Sequence, residues 1–325
     1  MKYIDFHCDT LMQAFLAGEK EISELDKTMV DLKRLQTGNC MAQFFAIFMP
    51  PMAYRAKLGN RLPDDEKYIQ LLRDILFCTV EKYPEKIAFA KNGQDLVEND
   101  FHKKISAFLT LEDGRPVNGK IENLERYFEM GIRLISLTWN EENCFGVPNS
   151  DDPATMNQGL TKFGKEAVIR MQELGMIVDV SHLSDGGFWD VATLCKSPFV
   201  ASHSNCRSIC PHRRNLTDDM IHTIGEKGGV IGLNFGSEFL SANVKNEKSC
   251  IEDMVRHINH LRKCGGEDCI SLGTDFDGIS GEFEIGHPDK MYLLFDELHK
   301  NHLSDDLIEK IAYKNAKRVI RDIMI

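Results

Sequence analysis

Two short apolar runs, each closing on Ser-His, constrain this chain more than any other stretch. The first is Met176-Ile-Val-Asp-Val-Ser-His182 and the second is Pro198-Phe-Val-Ala-Ser-His203, with a polar, helix-like segment between them. Each run has the length and β-branched content of a buried strand. Strands buried on both faces belong to parallel sheets covered by helices. A histidine at the carboxyl end of such a strand sits where α/β barrels keep their chemistry. Two imidazoles are therefore expected side by side on one rim.

The rest of the chain repeats the same unit. Lys2–Asp9, Cys40–Met49 (stopped by Pro50-Pro51), Ile105–Leu111 and Gly131–Trp139 read as strands 1 to 4. The two Ser-His runs supply strands 5 and 6, and Gly229–Phe235 and Cys269–Phe276 supply strands 7 and 8. Apolar residues recur at helical spacing in Met29–Leu35, Asp64–Lys82, Ile121–Met130, Gly159–Leu174, Ile251–Lys263, Pro288–Lys300 and Asp305–Arg321. Thr217–Lys227 is a further helix with Thr217 as its cap. Residues 86–104 read as a short strand followed by a helix around Leu96. The stretch Glu141–Met156, rich in Asn, Asp, Gly and Pro, reads as a long loop, and Cys206–Asn215 as a polar, basic one. Eight strand–helix alternations give a (β/α)8 TIM-type barrel with extra helices and long βα loops, one domain over residues 1–325. A doubly wound open sheet would call for a Gly-rich turn after strand 1, and none is present.

Composition narrows the partners. A chain of 325 residues with a net charge of −11 argues against nucleic acid or an anionic membrane surface. The ten cysteines include no CxxC pair, so they form no zinc ribbon or thioredoxin signature. The start, Met1-Lys-Tyr-Ile-Asp-Phe-His7, lacks the apolar core of a secretory signal, and the end at Ile325 lacks a lipid-anchor signal. The expectation is a reduced cytoplasmic protein with free, mostly buried thiols.

Carboxylates and imidazoles gather at strand ends. His7 and Asp9 are two apart, so both leave strand 1 on one face while Cys8 points away. Glu112 follows the run Phe108-Leu-Thr-Leu111 and precedes Asp113-Gly114. Either acid could face the rim, and the end-of-strand position favours Glu112. Of the eleven histidines, only His7, His182 and His203 end apolar runs; the other eight are expected in solvent. Asp275 closes strand 8 and could serve as the base for a metal-bound water; Asp277 shares its parity but also begins an Asp-Gly turn. Converging imidazoles and carboxylates without thiolates suit zinc or a similar divalent ion.

Taken in order, His7-Cys-Asp9, Glu112, Ser181-His182, Ser202-His203-Ser204, Arg213-Arg214-Asn215 and Thr274-Asp275-Phe-Asp277-Gly278 resemble the membrane (renal-type) dipeptidase family, binuclear zinc peptidases of the amidohydrolase superfamily. The resemblance runs from strand 1 to strand 8. It implies two zinc ions per chain, one on His7 and Asp9, the other on His182 and His203, with Glu112 bridging and a hydroxide shared between them. It implies Asp275 as the acid/base and Arg214 as the ligand of a dipeptide's terminal carboxylate. It implies small dipeptide substrates, including those with a C-terminal D-residue, and a homodimer. The family often carries Leu-Thr-His after strand 4. Here Leu137-Thr138 is followed by Trp139, which cannot replace a histidine that polarises the scissile carbonyl, and by Asn140, which has the opposite strand parity; both are expected to contact substrate. Two other readings use the same metals: a related amidohydrolase (an N-acyl-amino-acid deacetylase or lactonase), and a metal-loaded binding protein without turnover.

Overall fold

A computed structural model of the chain describes residues 1–58, 62–242 and 248–324. Eight parallel strands close into a barrel: β1 (Tyr3–Cys8), β2 (Cys40–Phe48), β3 (Ile105–Glu112), β4 (Ile132–Ser136), β5 (Ile177–Asp179), β6 (Val200–Ala201), β7 (Val230–Leu233) and β8 (Ile270–Leu272). The ring closes where β8 pairs with β1 at Asp5↔Leu272. A short strand, Ile87–Phe89, adds to the outer side of β3, and the helix Gly93–Phe101 follows it, as the sequence predicts.

The barrel is uneven. β2 and β3 pair over seven consecutive residues, from Ala42↔Ser106 to Phe48↔Glu112, whereas β5 meets β6 at the single pair Asp179↔Val200. The two Ser-His runs are thus shorter as strands than their apolar content suggests. Buried carboxylates take over where the ladder stops. Asp179 accepts hydrogen bonds from Ser136 Oγ (2.5 Å), Ser181 N (3.0 Å), Ser202 N (2.8 Å) and Ser202 Oγ (2.6 Å), which ties together the ends of β4, β5 and β6. Asp5 does the same at the closure, accepting from Thr274 N (2.8 Å), Thr274 Oγ1 (2.7 Å) and Gln43 Nε2 (3.0 Å). Each such buried acceptor is satisfied, so its burial is tolerated.

Aromatic rings fill the barrel. Phe44 stacks on Phe108 at 4.6 Å and meets Phe6 at 4.7 Å. Leu134, Ile177, Val200 and Val230 join this layer, and Ala316, Val319 and Ile320 of the last helix pack against it. Helices begin where the sequence supplies a cap: Thr161, Ser184 and Thr217 each accept from a backbone N–H two or three residues into the helix that follows, worth about 1 kcal/mol apiece.

Four expectations need correction. Residues Pro153–Met156, read as loop, form one helical turn capped by Asp152. Met29–Leu35 is helical only from Leu32, because the Met29 and Val30 amides donate to Asp277 instead. The last helix is interrupted by a π-helical turn at Lys310–Lys314, after which Asn315 Nδ2 donates to the Glu267 and Ile270 carbonyls. His257 is buried rather than solvated: it shares the inward face of its helix with Met254 and Leu261. Its Nδ1 accepts from Cys206 N, its Nε2 donates to Leu240 O, and burial pushes its pKa down to about 4.

Gly232 in β7 comes so close to the next strand that a Cβ there would lie 1.9 Å from the Ser202 carbonyl oxygen. Gly232→Ala should therefore destabilise the fold by about 1–3 kcal/mol, the usual range for forcing atoms into a packed core. Urea unfolding followed by circular dichroism measures this as a lowered midpoint at unchanged slope.

Candidate active site

The carboxyl ends of the strands bring six predicted residues to one point. His7 leaves β1 where its register against β2 shifts, between Asp5 and Cys8, and such irregularities re-aim side chains. Its Nε2 lies 3.4 Å from Asp9 Oδ2, 3.5 Å from Glu112 Oε2 and 3.8 Å from Asp275 Oδ1. Glu112 Oε1 in turn lies 3.1 Å from His182 Nε2 and 3.5 Å from His203 Nε2. The His7 and His203 rings stack at 3.9 Å. Cys8, as expected, points away, towards the Phe44 carbonyl.

The backbone works to achieve this. His182 (φ 70°), Asp275 (φ 63°) and Asp277 (φ 70°) all adopt the left-handed conformation, uncommon for such residues. Past β8 the strand alternation no longer holds, so equal parity does not bring Asp277 alongside Asp275. Asp277 turns instead to Thr10 Oγ1 (2.6 Å) and the Met29 amide (2.6 Å), while Asp275 accepts from Asn234 Nδ2 (2.8 Å) beside His7. Asp113 (φ 75°) likewise turns off, accepting from Asn143 Nδ2 and the Arg115 amide. Glu112 is the acid brought to the imidazoles.

Hydrogen bonds set the histidine tautomers. Ser202 Oγ spends its proton on Asp179, so at 2.7 Å it accepts from His203 Nδ1–H. Asn140 Oδ1, an acceptor, lies 3.2 Å from His182 Nδ1. Both rings therefore present bare Nε2 lone pairs, 3.1 Å apart and aimed at the same carboxylate. Burial holds both well below the ordinary histidine pKa. His7 Nε2 and Asp9 Oδ1 are buried without a hydrogen-bond partner. Lone pairs and carboxylates facing one another in this way fit divalent cations, with the outer hydrogen bonds orienting the rings as they do around metals. His7, Glu112 and His203 form one set of donor atoms within 4.8 Å, and His7, Asp9 and Asp275 form another.

The same crowding perturbs every titration. Burial opposes a charge on His7, but the Glu112 and Asp9 carboxylates overcome it and hold the ring well above its ordinary value. Burial raises Glu112 to about 7, with His7 opposing. Asp275 is raised to about 8, by burial first and by the Asp9 and Glu112 charges, with His7 opposing. These perturbed carboxyls open onto a cavity of about 360 Å³, a volume suited to a small ligand. Asp9, Glu112, His182 and Asp275 form its polar side, and Phe48, Tyr54, Trp139, Phe239 and Ile279 are among its walls. Trp139 packs edge-on against Phe48, and Asn140 lines the cavity while it holds His182. Arg214 is buried beside the cluster, its Nη1 donating to Ser204 Oγ and its Nη2 to the His203 carbonyl. Its Nε has no partner. Burial pulls its pKa down to about 10, so it stays charged at neutral pH.

A model of the membrane dipeptidase family, peptidase family M19, matches residues 1–324. This chain belongs to that family. It is a metallopeptidase, a hydrolase acting on peptide bonds. Among its relatives, an uncharacterised protein from the pqqA 5′ region of Klebsiella pneumoniae is 34% identical over 68% of this chain and 83% of its own. An uncharacterised dipeptidase of Schizosaccharomyces pombe is 28% identical over 98% of this chain and 79% of its own. A Rhodobacter sphaeroides metallopeptidase, solved with a phosphinate mimic of the dipeptide L-Ala-D-Ala, shares the fold at TM-score 0.90 and 23% identity, over 99% of both chains. Among the described residues of this M19 chain, no helix is long and apolar enough to cross a membrane.

Sequence reasoning missed the residues that hold the site. Asp179 and Ser202 lie inside the two Ser-His runs, where the apolar pattern marks them only as strand residues. Asn234 follows the apolar run Val230–Leu233, so the end-of-strand logic applied to the histidines would have found it.

At neutral pH the raised carboxyls of Glu112 and Asp275, together with His7, keep protons that metal binding must displace. Loading the stripped protein with zinc at pH 7 should release protons, and the release should shrink as pH rises past about 8, where Asp275 has already lost its own. Calorimetry in buffers of different ionisation enthalpy measures the number released.

Proposed function

We propose that this chain hydrolyses the peptide bond of small dipeptides, those ending in a D-residue included, with two zinc ions at the barrel mouth. His7 and Asp9 would hold one ion, His182 and His203 the other, and Glu112 would serve both. The observation that carries this reading is the convergence of three imidazoles and three carboxylates beside a dipeptide-sized cavity, which His182 and the three carboxylates line. When bound, the ions supply a Lewis acid for the scissile carbonyl and lower the pKa of water.

The chain's own residues do the rest. Asp275 takes the proton of the water that adds to the carbonyl carbon and returns it to the amine nitrogen as the C–N bond breaks. Asn234 fixes the carboxyl for that exchange through Oδ2. Arg214 meets the substrate's terminal carboxylate with the N–H groups that Ser204 and His203 leave free. Trp139 and Phe48 form an apolar wall for a substrate side chain. The loops at 141–156 and 206–215 limit the length of peptide admitted. The R. sphaeroides neighbour's dipeptide mimic supports this substrate class, stereochemistry included. The ten free cysteines support a reducing compartment, the cytoplasm, as its place of work.

Elemental analysis beside a panel of L-Xaa-L-Xaa and L-Xaa-D-Xaa dipeptides tests the proposal. At least two metals per chain, with turnover that dies on chelation, is expected. A chain that stays metal-free when zinc is supplied, or turnover indifferent to chelators, would sink it. Asp275→Asn should lower kcat by about 10²–10⁴ with metal content retained, the usual contribution of a positioned acid/base. Arg214→Ala should raise KM about 10–100-fold for dipeptides with a free carboxylate and leave their C-terminal amides little changed, as expected for losing a charge-assisted hydrogen bond.

A further inference from the structure

Away from the barrel mouth, the helices Asp218–Glu226 and Ile251–Gly265 pack side by side. Their seam gathers three side chains able to bind metal. His260 and Cys264 are one turn apart on the second helix, and Asp218 is the first residue of the other. His260 Nε2 stands 2.7 Å from Asp218 Oδ1 and 3.4 Å from Cys264 Sγ. The three donor atoms lie within 4.8 Å of one another.

His260 Nε2–H and the Cys264 thiol both turn to the Asp218 carboxylate. Without those two protons, the three groups present lone pairs to one point, where a cation can take the protons' place. In tetrahedral zinc, with bonds of about 2.0–2.3 Å, a sulfur and a nitrogen ligand lie about 3.5 Å apart. The Sγ–Nε2 separation already matches, whereas the Asp218 oxygen, now at hydrogen-bond distance from Nε2, must withdraw to about 3.3 Å to share the ion. Two outer contacts hold the set in place. Ser208 Oγ donates to Asp218 Oδ1 (2.6 Å), and His222 Nδ1 meets the Cys264 carbonyl at 3.3 Å, anchoring the turn that carries the thiol. Such partners orient metal ligands. Asp218 is half exposed, so a cation can reach the seam from solvent.

We propose that Asp218, His260 and Cys264 form an auxiliary site for a thiophilic divalent cation, zinc foremost, with the fourth position open to water. On binding, Cys264 gives up its thiol proton to solvent and His260 coordinates as the neutral imidazole. The thiolate distinguishes this site from the barrel mouth, whose gathered donors are nitrogen and oxygen only.

Cobalt(II) reads that difference directly. The full chain loaded with cobalt should show a near-ultraviolet thiolate-to-cobalt charge-transfer band. The band should vanish in Cys264→Ser, weaken in His260→Ala and persist in Cys78→Ser, an exposed cysteine elsewhere. With zinc in excess, the wild-type chain should retain about one more ion than Cys264→Ser by elemental analysis. A cobalt-loaded wild type without the band, or a band that survives Cys264→Ser, would overturn the assignment. Dipeptide turnover does not enter either readout, so the result is independent of the proposed function.

Discussion

The carboxylate of Asp179 is the interaction on which the rest of this structure depends. It collects four hydrogen bonds from the ends of three successive strands, where the backbone ladder has run out. One of those donors, Ser202, passes the constraint on to His203 by fixing which ring nitrogen carries the proton. A single buried acceptor thus closes one side of the barrel and orients an imidazole in the cluster. Asp5 does comparable work at the opposite closure, where its partner Thr274 immediately precedes Asp275. In both cases the group that stabilises the fold lies one or two bonds from the chemistry.

The cluster itself is electrostatically expensive without cations. Three carboxylates and two imidazoles are buried together, with His182 partly exposed beside them, and the Nε2 lone pairs of His182 and His203 lie 3.1 Å apart. Protons retained on His7, Glu112 and Asp275 relieve part of the repulsion. Left-handed backbone at His182 and Asp275 adds strain of the kind that persists only where surrounding structure imposes it. The barrel's long ladders and aromatic filling supply that surrounding structure.

The barrel was legible because its signal is redundant: eight apolar runs alternate with amphipathic segments, and errors at single boundaries leave the count unchanged. The residues gathered at the barrel mouth were legible because they end those runs. Strand parity correctly aimed His7 and Asp9 together, since they sit on and beside regular β1. It failed for Asp277, since two left-handed residues after β8 reset the direction of the chain. His257 was missed for a related reason. A polar residue on the inward stripe of a helix looks like a surface residue until its partners, here the Cys206 amide and the Leu240 carbonyl, are brought to it by tertiary contact. Supporting residues such as Ser202 and Asp179 carry no signature of their own, because their role exists only relative to a neighbour on another strand.

The shortness of β5 and β6 has a consequence for how this catalyst can change over evolutionary time. Where strands pair over seven residues, the spacing of the groups they carry is dictated by the main chain and is nearly immutable. Where they meet at one pair, the distance between His182 and His203 is governed by serine hydroxyls and one aspartate. The separation of the ring nitrogens is then a side-chain property. It can be tuned one substitution at a time towards a different cation or substrate, while the long β2–β3 ladder keeps the scaffold unchanged.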